Sequence, residues 1–302
     1  MSDLLLQPPA EAIRPDIRIY GYTDQIYKIV RFKSTAPRGL KADRKNHATY
    51  EEKLDASISR ARRVVLELAL CNDWTYFCTF TIADKNFDRK DLASWHKTFS
   101  QWLRDQRKKY FKLGHDFDIS FVLVPEQHKD GSWHMHGLFS DISPVLISFS
   151  DLLARGDNVP VNLAKSGYMN WPDYQSKFGY CSFGRIQNKV AAGFYITKYI
   201  NKSLQDSCLD VGLHLYYPSR GLNRSHLHGE IYGYCSALDK YLTNHYDFCD
   251  TGMTSVKDGC NWSFGFEYMD YDLLEAFSTE DPPEVLEVDS YFSAVQQMID
   301  GF

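Results

Sequence analysis

The apolar positions of this chain change period several times, and each change marks an element. Apolar and β-branched residues alternating with polar ones predict short strands over Ile17–Tyr22 and Gln25–Phe32. From Ala48 to Cys71 the period lengthens. Leu54, Ile58, Ala61, Val65 and Leu68 recur every three or four positions, which predicts an amphipathic helix. Trp74–Ile82 returns to strand spacing and Asp84–Asp88 is a loop. Asp88 or Asp91 can cap the next helix, which runs to about Phe111 with Trp95, Phe99, Trp102 and Leu103 on its apolar side. The apolar run Ile119–Val124 leads into a hairpin whose turn is signalled by Lys129-Asp130-Gly131-Ser132. Val145–Leu153 reads as a short helix and Asn162–Pro172 as a loop, an insertion over whatever site the sheet carries. Gly179–Gln187 reads as a last strand and Val190–Ser203 as a helix. The order strand, helix, hairpin, strand, helix predicts an α+β fold: a central antiparallel β-sheet with flanking helices.

The hairpin carries the first candidate chemistry. His134 and His136 flank Met135 in a predicted strand, so both imidazoles share one face. If Gln127 lies opposite Trp133, Glu126 falls opposite His134 on that same face. Two imidazoles and a carboxylate can hold a divalent metal. His128 is either a further ligand or a turn residue. Trp133 is suited equally to stacking on a base and to packing in the hairpin. The helix at Val190–Ser203 carries the second candidate. Tyr195 and Tyr199 are one turn apart, and each is followed three residues later by a lysine, Lys198 and Lys202. A tyrosine beside a metal and a cation can attack phosphorus, and two can attack in turn. Aromatic residues at this spacing also pack well against a sheet.

Taken together, the string Trp133-His134-Met135-His136-Gly137-Leu138-Phe139, the Tyr195–Lys202 pattern and the strand string Phe77–Thr81 resemble the HUH family of single-strand DNA endonucleases. The likeness is to its two-tyrosine branch of rolling-circle replication initiators from phages and plasmids, and it covers Phe77 to Ser203. It implies an RRM-like palm topology for the sheet, with extra elements C-terminal to it. It also implies Mg²⁺ or Mn²⁺ held by Glu126, His134 and His136. Tyr195 and Tyr199 would be nucleophiles forming a 5′-phosphotyrosine, assisted by Lys198 and Lys202. The DNA partner would be a single strand or an origin hairpin. Thr79 and Thr81 become candidate DNA-side residues. A second His-x-His, His226 and His228, lacks an opposed acidic strand and is set aside. Ser219–Ser225 has no role that its residues alone suggest.

Composition adjusts this picture. A net charge of −5 is unexpected for a nucleic-acid protein, but from Glu267 onward there are ten acidic residues and no Lys or Arg. Residues 1–266 then hold 34 basic against 29 acidic residues, a mildly basic body with an acidic tail. The expected organisation is a flexible leader at 1–16, a domain at 17–265 with its core at about 74–203, and the tail at 266–302. The tail is either solvated or docked over basic surface. The seven cysteines include no Cys-x-x-Cys pair, so neither a zinc cage nor a disulfide framework is expected, and a bacterial host's cytoplasm is the natural compartment. No long apolar run suggests a membrane span. No GxxxxGK[ST] string occurs, so a helicase would have to come from elsewhere, the host being the natural source. The rival readings are an HUH transposase and a non-catalytic DNA-binding replication or regulatory protein on the same scaffold.

Overall fold

Alternating strands and a few amphipathic helices assemble here into two antiparallel sheets with flanking helices, an α+β fold. The computed structural model of the chain describes residues 17–23, 26–32, 50–83, 87–115, 118–200, 214–231, 246–255 and 260–267. The predicted leader and nearly all of the acidic tail lie outside the described residues. The elements begin with β1 (Ile17–Gly21), β2 (Ile26–Phe32), α1 (Tyr50–Cys71), β3 (Tyr76–Thr81) and α2 (Leu92–Lys112). The hairpin β4 (Phe121–Gln127) and β5 (Trp133–Phe139) follows. Then come β6 (Ile147–Ser148), α3 (Phe149–Ala154), α4 (Val161–Lys165), β7 (Met169–Asn170), α5 (Pro172–Lys177) and β8 (Cys181–Arg185). The chain continues through α6 (Lys189–Thr197), β9 (Tyr217–Pro218), β10 (His226–Ile231), β11 (Tyr246–Ser255) and β12 (Cys260–Glu267). No helix among the described residues is long and apolar enough to cross a membrane.

Residues 48–223 form one unit, and residues 1–47 with 224–302 form the other. In the second of these, five strands lie in the order β10-β1-β2-β12-β11. Segments from opposite ends of the chain are therefore hydrogen-bonded neighbours. Ile17, Ile19 and Ile29 are fully or almost fully buried in it.

The unit of residues 48–223 is built on a seven-stranded sheet in the order β6-β7-β8-β3-β5-β4-β9. The alternation along β3 sorts its side chains between two faces. Tyr76, Cys78 and Phe80 are buried on one side, and the partly buried Phe77, Thr79 and Thr81 point to the other. On the first face Phe80 meets Phe99 of α2 and Tyr174 of α5 at ring distances of 5.6 and 4.5 Å. Trp95, Phe99 and Trp102 put the apolar stripe of α2 against this side, as their spacing predicts. Asp91 caps that helix, its carboxylate accepting from the Ser94 amide at 2.9 Å. Asp91→Ala is expected to lower unfolding free energy by about 1 kcal/mol, read from a urea titration.

The opposite face of the sheet is covered by α1 and α6. Ile58, Ala61, Val65 and Leu68 are the buried positions of α1, while Arg60, Arg62 and Arg63 face solvent. The two helices approach closely at Gly193. A Cβ there would stand 3.2 Å from the Cβ of Ala69 and 3.4 Å from Leu66 Cδ1.

Two local expectations need correction. Val145–Leu153 is not one helix. Ser143–Val145 is a 3₁₀ turn with Pro144 inside it, Ile147 pairs with Asn170, and α3 starts only after Ser148, whose hydroxyl caps the Asp151 amide at 3.0 Å. Nor is Asn162–Pro172 a loop. It holds α4 and β7, which extend the sheet edge, and it leads into α5. Trp171, Tyr174 and Phe178 are fully buried and anchor this stretch on the α2 face, so burial overrides its polar, glycine-containing composition.

Candidate active site

The register of the hairpin places the first group of residues. β4 and β5 pair with Gln127 opposite Trp133 and Glu126 opposite His134, the pairing expected from the turn. His134 and His136 are also opposite Thr81 and Thr79 of β3. All four therefore share the face that α6 crosses. Gly137, next in the strand, lies on the other face, where a Cβ would be 2.7 Å from the Val122 carbonyl oxygen and 3.2 Å from Cys78 Sγ.

The side chains then connect diagonally rather than straight across. Glu126 Oε2 lies 2.7 Å from His136 Nε2, not against its register partner His134. On the other side of the ring, His136 Nδ1 lies 3.2 Å from the Thr79 hydroxyl. A neutral imidazole satisfies both contacts when Nε2 donates to the carboxylate and Nδ1 accepts from the hydroxyl. His136 is thus buried and held at both nitrogens. His134 faces His128, with ring centroids 4.0 Å apart. His128 closes the turn through its backbone, donating to Ser132 O at 2.8 Å, yet its Nε2 comes within 3.9 Å of Glu126. It is both a turn residue and a neighbour of the site.

These contacts set the charge states. Burial, with the His128 and His136 rings close by, pushes the His134 imidazole down to about 4. The bond from His136 holds the Glu126 carboxyl below its usual range. The cluster at neutral pH is a carboxylate beside at least one neutral imidazole, which suits a divalent cation by donor type. In their present positions the side chains bond one another. Among the described residues no group of three or more His, Cys, Asp and Glu side chains is arranged to hold an ion.

The tyrosines arrive on the same face. α6 starts at an Asn188 cap whose side chain accepts from the Ala191 amide at 2.9 Å. It ends at Thr197, earlier than the apolar pattern suggests, and Tyr199 lies in the turn that follows. That turn closes through i→i+3 bonds from Lys198 N to Tyr195 O and from Ile200 N to Thr197 O. Arg62 of α1 donates to the Ile200 carbonyl at 2.7 Å and ties the turn down. The tighter turn keeps both tyrosines together. Tyr199 Oη donates to Tyr195 Oη at 3.1 Å. The Tyr199 ring stacks on His136, with centroids 3.9 Å and planes 11° apart. Tyr195 is set edge-on to Phe77 at 5.3 Å. Burial and the bond to Tyr195 push the Tyr199 phenol above its ordinary value. Lys198 Nζ lies 5.2 Å from the Tyr195 ring centroid. Lys202 lies outside the described residues.

Residues 75–204 match the family model for the replication-associated protein ORF2. That stretch runs from β3 past α6 and contains Glu126, His134, His136, Tyr195, Lys198, Tyr199 and Lys202. It carries the stamp of a replication-associated protein, in keeping with a replication initiator. No curated protein and no solved structure matches the chain.

Other singled-out residues have structural places. Trp133 is buried, and its indole donates to the Lys90 carbonyl at 3.1 Å, so it packs the hairpin. Thr81 donates to Tyr180 O at 2.8 Å. His226 and His228 lie in the other unit on β10, where His226 faces Gly21 and His228 packs on Tyr27. In Ser219–Ser225, Ser219 bonds the Phe121 backbone in both directions, and Asn223 exchanges two bonds with Asn72 at the end of α1. The contact of Thr79 with His136 and that of Arg62 with the tyrosine turn had no signal in the sequence, because both depend on elements meeting in space.

Proposed function

We propose that this protein initiates DNA replication by nicking and rejoining single-stranded DNA through a tyrosine ester, as a rolling-circle initiator would. The observation that carries the reading lies within the matched segment. Two tyrosine hydroxyls 3.1 Å apart meet a histidine–carboxylate pair, with one tyrosine ring stacked on the histidine. Glu126, His134 and His136 would hold Mg²⁺ or Mn²⁺, which when bound polarises the scissile phosphate.

The tyrosines supply the covalent step. As a phenolic oxygen bonds to phosphorus, the P–O3′ bond breaks. The phenol gives up its proton, and the departing 3′ oxygen takes one up. The 5′ end stays joined to the protein as a phosphotyrosine diester, and the reverse attack by a 3′ hydroxyl restores the strand without ATP. The second tyrosine, already hydrogen-bonded to the first, can make a second cut from nearly the same place. Lys198 and Lys202 would offset phosphate charge during either attack. Thr79 would hold the His136 ring in its working orientation. Strand opening would fall to a separate helicase, supplied by the host.

The test is covalent capture. The protein is mixed with Mn²⁺ and single-stranded DNA tiled from its own replicon, then run on denaturing SDS gels. A DNA-bearing protein band is expected, and chelation with EDTA should remove it while leaving DNA binding largely intact. Full-rate cleavage by His134→Ala/His136→Ala would sink the metal assignment. DNA binding with no adduct on any tile would favour the non-catalytic replication or regulatory reading. Thr79→Val, which keeps the side-chain shape, is expected to slow adduct formation by about 10–100-fold and to raise the Mn²⁺ concentration needed.

A further inference from the structure

The far side of the same unit carries a surface that the tyrosine chemistry does not use. Helix α2 buries Trp95, Phe99 and Trp102 against the sheet face opposite His134 and His136. Its outer face at the C-terminal end is unusual. Arg104, Lys108 and Phe111 follow one another at spacings of four and three, so they form a single stripe, with Lys112 beside it. Phe111 is 73% exposed and Leu113 is 63% exposed. Lys108, Lys109, Lys112 and Leu113, with Asp105, line an open groove of about 470 Å³.

Basic residues at the end of a helix favour its dipole, which accounts for Lys109 and Lys112 without any ligand. That argument does not reach Phe111. A phenyl ring left in water forgoes about 1.5–3 kcal/mol of burial. The cations are not all engaged within the protein. Lys109 pairs with Asp173 at 2.5 Å and Arg107 with Asp118 at 3.5 Å, whereas Lys108 and Lys112 have no carboxylate within ion-pair distance among the described residues. The acid in the groove, Asp105, is occupied by the Gln101 amide at 3.1 and 3.2 Å.

We propose that the Lys108–Phe111–Lys112 surface of α2 binds a second stretch of single-stranded nucleic acid, apart from the strand held at the tyrosines. A single strand alternates anionic phosphates with flat bases, and this stripe alternates ammonium groups with an exposed aromatic ring. An acidic peptide would satisfy the lysines but offers no regular partner for the ring. Because the sheet separates this surface from the histidines, a strand bound here leaves the cleavage face open. The proposal rests on the initiator reading and deepens it by adding a place where DNA is held.

The test uses the full chain carrying Tyr195→Phe/Tyr199→Phe, without divalent ions, so that covalent capture contributes nothing. Binding of fluorescein-labelled oligo-dT is followed by anisotropy over a range of salt. Lys108→Gln/Lys112→Gln is expected to reduce the slope of log affinity against log salt by about 1.4, two phosphate contacts at about 0.7 each. Phe111→Ala is expected to weaken binding roughly tenfold. All three side chains are exposed, so the variants should melt with the parent. Unchanged binding in both variants overturns the proposal. Loss from the lysine pair with Phe111→Ala silent overturns it too, because diffuse electrostatics then suffices. Polyglutamate binding that depends on Phe111, with oligo-dT binding unaffected, assigns the surface to an acidic protein instead. If the unmutated chain forms no adduct in the capture assay, the nicking reading fails while this binding result stands by itself.

Discussion

Tyr195→Phe combined with Tyr199→Phe is expected to reduce covalent DNA capture to background, while each single variant keeps a measurable share. Phenylalanine preserves the rings and their packing, so the stack on His136 and the edge contact with Phe77 persist. Only the oxygen that must bond to phosphorus is lost. In a single variant the remaining hydroxyl stands within about one hydrogen-bond length of the missing one, close enough to reach the same phosphate. The singles should nonetheless differ. Tyr199 is the more buried phenol and gives its proton to Tyr195, so removing Tyr195 takes away the acceptor of that bond. Adduct yield on denaturing gels, with DNA affinity measured alongside, checks this. An adduct surviving in the double variant would place the nucleophile elsewhere. Complete loss in one single variant would assign all the chemistry to that tyrosine.

Gly137→Ala is expected to lower unfolding free energy by about 1–3 kcal/mol and to reduce the soluble yield. The glycine sits between β3 and β4 on the face packed by α2, where a Cβ would collide with the Leu123 side chain and the Val122 carbonyl. A side chain can rotate away, but a carbonyl in a central strand moves only with the ladder. β5 would have to shift, carrying His134 and His136 with it. The variant should therefore lose capture activity more than its remaining folded fraction predicts. Urea titrations of the two proteins, with activity normalised to folded material, test both parts. A variant as stable as the parent would show that the strands separate more easily than their packing implies.

Much of the candidate site was legible because it obeys short periods. The turn at Lys129–Ser132 and the alternation on either side of it determine the pairing of Glu126 with His134. The four-residue spacing of Tyr195 and Tyr199 brings their rings together even though the helix ends at Thr197. The apolar stripes of α1 and α2 appear where the sequence puts them. Legibility failed where burial by distant residues outweighed local composition. Asn162–Pro172 reads as loop from its polar and glycine content, but it leads into Trp171, Tyr174 and Phe178, which no local rule places under α2.

The sequence by itself determined which face of β5 carries the two imidazoles, which acid stands beside them and which helix bears the phenols. Strand and helix periods are properties of neighbouring residues, and a one-residue slip would turn every side chain to the wrong face. Only the tertiary structure decided that Glu126 bonds His136 rather than its register partner, that Thr79 holds the far side of that ring, and that His128 folds back toward the acid. It also decided that strands from the two ends of the chain share a sheet. These contacts join residues far apart in sequence or side chains free to rotate, and their partners are chosen by packing that no local pattern contains.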